Sequence, residues 1–353
     1  MRNHRRLLSA ISLVSVLGLV AAACGDDDSA TSDTAAPETT AAAPAGPPVG
    51  LLFDITGRGD KSFNDAAAAA LDKATAELGI VPSESAPVSD GDRVERLKGM
   101  LDAGNELIIG VGFLWGDAIT TATAENPDTN FAIVDSVVDA PNAFSIVFAE
   151  EQGSFLVGAA AALKSKTGKV GFIGGVENDL IKKFEAGFVA GVQAVNADIE
   201  VLVQYITQPP DFSGFNDPAK GKEIAGAMYA DGADVIYSAA GGSGLGAFEA
   251  AKEAGAPGEV WAIGVDSDQY NLVAPELQPY ILTSMLKKVD VAVFDAINTF
   301  VSTGSVSGLK SYDLAAGGVG YSTTGGFVDD IAADLDAYAA KIASGEIVVP
   351  SAP

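Results

Sequence analysis

The sequence predicts an α/β protein whose parallel sheets are wound on both faces by helices. Two observations carry this reading. Short apolar runs alternate along the chain with longer alanine-rich stretches whose apolar residues recur at i, i+3 and i+4. The runs are apolar throughout instead of alternating with polar residues, which is the pattern of strands covered on both faces. Beyond position 49 there are roughly 300 residues, more than one hydrophobic core comfortably serves, so two lobes of about 150 residues each are expected.

The predicted strands are residues 49–54, 106–111, 131–135, 143–148, 169–173, 199–205, 234–238, 260–265 and 281–285. Between and after them, helical spacing covers residues 62–78, 92–103, 116–124, 152–165, 179–196, 217–230, 244–253, 287–303 and 329–344. Asn216-Asp217-Pro218 has the form of a helix start, with proline in the first turn.

Ahead of the folded part stands a different grammar. Arg2, Arg5 and Arg6 precede an apolar run over residues 7–20, then Ala21, Ala22, Ala23 and the only cysteine of the chain, Cys24. Charged, apolar and small-residue regions in that order read as a secretory signal at residues 1–23. A cysteine at the first mature position reads as a lipoprotein acceptor, its thiol taking diacylglycerol, although Ala21 stands where such signals favour leucine. The competing readings are a secreted protein with an incidental cysteine and a retained anchor, for which the apolar run is short. Residues 24–48 then form an acidic, Thr-, Ala- and Pro-rich tether that buries too little to order itself.

Composition excludes several function classes. The formal charge is −26, and removing residues 1–23 takes away three arginines and no acid, leaving −29. Nucleic acid and anionic lipid surfaces are therefore poor partners. The only histidine, His4, leaves with the signal. The mature domain thus offers no disulfide, no nitrogen or sulfur ligand set for zinc or copper, and no base for Ser-His or Cys-His catalysis. Neither a cofactor nor a metal site is expected. Without histidine, binding is expected to ignore chelators and to vary little between about pH 6 and 8, unless a cleft aspartate has a raised pKa.

In doubly wound folds, ligands bind beyond the carboxyl ends of the strands. That rule selects Asp54, Ser62, Phe63 and Asn64 after the first strand, residues 112–115 after the second and Asp135 after the third, then Gly241, Gly242, Gly244, Asp266, Asp268 and Lys287. Carboxylates, an amide, a lysine and aromatic rings suit a neutral polar ligand with a flat face, whereas a phosphate would need more positive charge. Taken locally, Ser62 reads as a helix N-cap with Asp65 favoured by the helix dipole. Asp54 and Asp135 equally suit carboxylates accepting backbone N–H groups. The glycine run at 241–246 fits neither a dinucleotide fingerprint nor a P-loop nor a nucleophile elbow, which leaves close backbone approach to a ligand. Arg58-Gly59-Asp60 matches an adhesion-type tripeptide that chance in a loop explains. Phe212 and Phe215 lie in an extended loop, an unusual place for phenylalanine without a contact.

Several ordered motifs carry a resemblance: DKSFN from Asp60, GVGFLWGDA, NPDTNFAIVDS, EEQGSFLVGAAAALKSKTGKVGFIGG, FEAGFVAGVQAVN, FNDPAKGKEIA, ADVIYSAAGGSGLGAFEAAKE, IGVDSDQ and LTSMLKKVDVAVFDAI. From about residue 49 to 343 the chain resembles the basic membrane protein family of lipoproteins. The resemblance implies a type I periplasmic-binding fold, with two α/β lobes, three crossovers and the ligand between them. The lobes would be 49–147 plus 281–315 and 148–280 plus 316–353. It further implies that Phe63 and Phe215, or Phe212 in its place, sandwich a purine ring. Asp54, Asn64 and Asp135 would meet the base edge or support that shell. Asp266, Lys287 or its neighbour Lys288, and the glycine segment near Gly242 would hold ribose hydroxyls. The implied protein is a monomeric, non-enzymatic, lipid-anchored extracytoplasmic receptor that hands nucleosides to an ABC permease. Its rivals are a sugar or autoinducer receptor of the same fold and a nucleoside hydrolase working through Asp135 or Asp266.

Overall fold

A computed structural model of the chain describes residues 46–353 except Asp90. The signal, Cys24 and nearly all of the tether lie outside the described residues. The tether's last expected residue, Pro48, instead opens the first strand, a position where the missing N–H costs no ladder bond.

Two six-stranded sheets organise the chain. The first contains β1 (Pro48–Leu52), β2 (Val81–Ser85), β3 (Leu107–Gly110), β4 (Asn130–Val134), β5 (Ala143–Phe148) and, much later, β11 (Gly308–Tyr312), in the order β11-β5-β4-β3-β1-β2. All its pairings are parallel. The second contains β6 (Lys169–Val176), β7 (Glu200–Thr207), β8 (Val235–Ala239), β9 (Trp261–Asp266), β10 (Ile281–Lys287) and β12 (Val319–Tyr321), in the order β12-β10-β9-β8-β6-β7. Only β12 runs antiparallel. Each lobe thus places its second strand outside its first, giving a switch of winding direction beside β1 in one lobe and β6 in the other.

All nine expected helices are present among the described residues: α1 (Phe63–Leu78), α2 (Arg93–Asp102), α3 (Gly116–Glu125), α4 (Glu150–Lys164), α5 (Asp179–Val195), α6 (Pro218–Ala230), α7 (Leu245–Ala254), α8 (Val289–Thr303) and α9 (Ala332–Ala343). Three strands carried no apolar signal, β2, β11 and β12, and all three are edges. The first two are largely solvent-facing and the third is three residues long, so no continuous apolar run was needed.

Three crossovers join the lobes. The chain passes from β5 into α4, which packs on α5 and β10; from β10 into α8, which packs on α1; and from β11 to β12. This moves a boundary expected from the sequence. Within residues 281–287 the strand pairs with β9 as far as Leu286 and with β12 through Lys287, so all belong to the second lobe and the crossover follows Lys287 instead of preceding Ile281. The crossovers are tied to each other, Ala149 N–H donating to Tyr312 O at 3.1 Å and Lys288 N–H to Gly318 O at 2.8 Å.

Glycines account for one close approach. A Cβ on Gly187 or Gly191 of α5 would lie within 2.1 Å of the carbonyl oxygens of Glu151 and Phe155 on α4, so these two helices meet backbone to backbone.

Candidate ligand-binding cleft

The carboxyl ends of both sheets face one cleft that is partly open to solvent, with a cavity of about 70 Å³. The first lobe contributes Asp54 two residues beyond β1, Phe63 and Asn64 at the start of α1, Gly112 and Phe113 beyond β3, and Asp135 beyond β4. From the second lobe come Leu180, Ile181 and Phe184 on α5, Phe215 and Asn216, Ala239 at the end of β8 and Gly241 beyond it, Asp266 at the end of β9 and Lys287 at the end of β10. Seven of the eight residues singled out from the sequence therefore converge. The exception is Gly242, which does not line the cleft, whereas its neighbour Gly241 does, with φ of 53°. Residues 241–244 form a 3-10 turn stitched into its own lobe by Ser243, whose hydroxyl donates to Gly214 O and accepts from Asp217 N–H.

Other strand-end candidates point elsewhere. Trp115 is fully buried in the core and donates its indole N–H to Phe53 O at 3.0 Å. Asp268 accepts from the hydroxyls of Ser322 and Thr324. Of the paired alternatives, Phe215 and Lys287 line the cleft and Lys288 does not; Phe212 packs edge-on against Phe113 across the lobes, with ring centroids 6.0 Å apart.

The loop before α1 overturns the expected cap. Ser62 makes no capping bond; its hydroxyl reaches the other lobe and donates to Asp266 Oδ2 at 2.6 Å. Asp60 takes over, accepting the N–H groups of Ser62, Asn64 and Asp65. The adhesion-like tripeptide is thus structural, with Asp60 buried and Arg58 paired to Asp72 at 2.7 Å and to Glu84. Asn64 is occupied on both sides, accepting Asp54 N–H at 2.9 Å and donating to Asp60 at 3.1 Å. These two bonds fix its orientation at the cleft wall.

One buried cation organises the charges. Lys287 Nζ lies 2.6 Å from Asp135 Oδ2 and 3.4 Å from Glu150 Oε1, a carboxylate at the first turn of α4 that the sequence did not single out. It also stands 5.0 Å from the ring centroid of Phe63, 5.1 Å from that of Phe148 and 5.7 Å from that of Phe184. Burial opposes the charge on Lys287, but Asp135, Glu150 and Asp266 outweigh it and push its pKa up. Burial raises the Asp54 carboxyl to about 7, against the attraction of Arg93, and raises Asp266 to about 6, against Lys287 and Ser62. Burial raises Glu150 as well. Burial thus raises two cleft aspartates toward neutrality, which is the exception attached to the expected indifference to pH.

Two further features mark the site. Asp135 and Asp266 hold equivalent strand-end positions and both adopt left-handed φ, 65° and 64°, which is strain concentrated where the lobes meet. Asp54 Oδ1 and Asp135 Oδ1 are buried without hydrogen-bond partners among the described residues, a cost that a donor on a ligand would relieve. No group of three or more His, Cys, Asp or Glu side chains is arranged to hold a metal ion among the described residues.

Two sheet-based lobes with a polar and aromatic cleft between their strand ends define a solute-binding protein. Residues 48–352 match the family model Bmp, the PnrA-like ABC transporter substrate-binding proteins, and the chain belongs to that family, which binds solutes for transport and is not enzymatic. It is 36% identical to the CD4+ T-cell-stimulating antigen of Listeria innocua, over 99% of this chain and all of that protein. It is 35% identical to the ABC transporter nucleoside-binding protein BmpA of Lactococcus lactis subsp. cremoris, over the same shares. Among solved structures, an ABC transporter solute-binding protein from Aeropyrum pernix K1 superposes with a TM-score of 0.76 at 31% identity, covering 86% of this chain and 94% of that one. The fold is the type I periplasmic-binding fold.

Proposed function

We propose that this chain is a lipid-anchored, extracytoplasmic receptor that captures purine nucleosides and delivers them, as a monomer, to an ABC permease. The observation that carries the reading is the composition of the cleft: Phe63 and Phe215, from opposite lobes, line the same space as Asp54, Asp135, Asp266 and Lys287. Two rings suit the faces of a heterocycle, buried carboxylates suit its N–H groups, and a carboxylate beside an ammonium suits the hydroxyls of a sugar. The name of the Lactococcus relative supports a nucleoside over a sugar.

In this reading Phe63 and Phe215 stack on the base. Asp54 and Asp135 meet its edge, with Asn64 fixing Asp54. Asp266, Lys287 and the backbone at Gly241 take the ribose. Four lining aspartates, Asp54, Asp60, Asp135 and Asp266, against one lining lysine, Lys287, disfavour phosphorylated ligands. Ligand that touches both lobes favours the closed form in proportion to its differential affinity, and no covalent step is involved. Membrane attachment is assigned to Cys24, which follows the apolar run at 7–20 and the small residues 21–23.

A thermal-shift panel of nucleosides, free bases, nucleotides, sugars and amino acids tests the reading. A true ligand at about 100 times its dissociation constant adds roughly 2.7 kcal/mol of stability. Purine nucleosides should lead the panel, and a sugar or an amino acid in first place would overturn the proposal.

A further inference from the structure

A set of polar contacts joins the lobes between the turn at Lys61 and Ser62 and the end of β9 with the segment that follows it, mostly through residues that do not line the cleft. Ser62 Oγ donates to Asp266 Oδ2 at 2.6 Å, Ser267 Oγ donates to Ser62 O at 3.1 Å, and Gln269 Nε2 donates to Lys61 O at 3.1 Å. Lys61 Nζ donates to Leu272 O. Of these six residues only Asp266 lines the cleft.

Both halves are built within their own lobes. On the first, Lys61 is held at a φ of 54° by Asp65, which accepts the N–H groups of Gly59 and Lys61, while Asp60 fixes Ser62. On the second, Gln269 is buried, its Oε1 accepting Val265 N–H at 2.9 Å and its own N–H donating to Ser284 Oγ at 3.2 Å. Groups fixed before they meet lose little freedom on meeting. Their partners across the gap are mostly backbone carbonyls, which no ligand replaces.

From this we infer that residues 61–62 and 266–272 form a latch that sets how readily the lobes close, and hence how tightly any ligand is held, without setting which ligand is chosen. The inference rests on the cleft closing around a solute, and not on that solute being a nucleoside. When the competent state is less populated, apparent affinity falls by the same factor for every ligand.

The test is Lys61→Ala combined with Ser267→Ala, which removes two latch bonds and leaves every cleft-lining side chain in place. Net hydrogen-bond contributions predict dissociation constants for inosine and adenosine raised roughly three- to thirtyfold, their ratio unchanged. A second readout needs no ligand. In the full chain carrying Cys24→Ser, spin labels at Lys98→Cys and Lys252→Cys report the interlobe distance by double electron–electron resonance. The parent should hold a short-distance population that the double variant loses. Unchanged dissociation constants, a changed inosine-to-adenosine ratio, or identical distance distributions would each overturn the latch. If neither nucleoside binds the parent, the nucleoside reading fails and the distance distributions alone decide the latch.

Discussion

Lys287 and Asp135 meet at 2.6 Å across the lobe boundary, both almost wholly withdrawn from water, one at the end of β10 and the other just beyond β4. The pair belongs at once to the cleft wall and to the crossover between lobes, because α8 leaves the second lobe two residues after Lys287. Removing one partner of a buried ion pair costs on the order of 3–5 kcal/mol, since the other is left uncompensated. Here Lys287→Met abandons Asp135, Glu150 and Asp266 together. The Glu150 and Asp266 carboxyls, raised by burial, can escape by taking up protons, so the loss of melting temperature should be smaller at pH 5 than at pH 8. An equal loss at both pH values would mean that Lys287 does not neutralise these groups.

Asp54 gives a prediction with a definite sign. Its carboxyl is raised by burial from 3.8 to about 7, so the folded chain holds a proton that the unfolded chain has released. That contribution is complete below about pH 4 and is lost as pH rises through 7. Asp54→Asn removes the dependence, and the variant should gain on the parent as pH rises from 4 to 8. The gap between 3.8 and about 7 caps the change at about 4 kcal/mol. Thermal melts of both proteins across that range check it; parallel curves would refute the raised pKa.

Charge predicts what the cleft refuses. Inosine 5′-monophosphate should bind at least about a hundredfold more weakly than inosine, because four lining aspartates face one lining lysine. Competition of the nucleotide against bound inosine measures this, and equal potency would argue for a cation that the account has missed.

Anchoring is separable from binding. Cys24→Ser should abolish incorporation of labelled lipid and release the protein from membranes, while nucleoside affinity stays within about twofold. Unchanged membrane fractionation would contradict the assignment of Cys24.

How far the sequence led can be read from particular residues. Asp54, Asp135, Asp266 and Lys287 were found because each follows an apolar run, and a strand end is a local feature that alone predicts a position facing the cleft. Ser62 was misread for the converse reason. Capping rules look three residues ahead, whereas the hydroxyl's partner is Asp266, 204 residues away. Asp60 was hidden inside a tripeptide attributed to chance, although an aspartate ahead of an alanine-rich helix was available as a capping signal. Leu180 and Phe184 sit on an amphipathic helix where an apolar residue facing a ligand looks the same as one facing the core. Glu150 carried no signal, because its burial arises only when α4 and β10 meet. Strands β2, β11 and β12 escaped because an edge strand needs no apolar run on both faces.

The most direct measurement of the central claim is isothermal titration of inosine into the parent chain and into Phe63→Ala. Stacking contributes on the order of 1–3 kcal/mol per aromatic ring, so the substitution should weaken binding roughly five- to 150-fold. The melting temperature of the unliganded variant should stay close to the parent's, because Phe63 is only partly buried. Saturable one-to-one binding to the parent that Phe63→Ala weakens in this way is the predicted result. No binding of inosine to the parent, or equal affinity in the two proteins, would contradict the account of this cleft as a nucleoside site closed on the ring of Phe63.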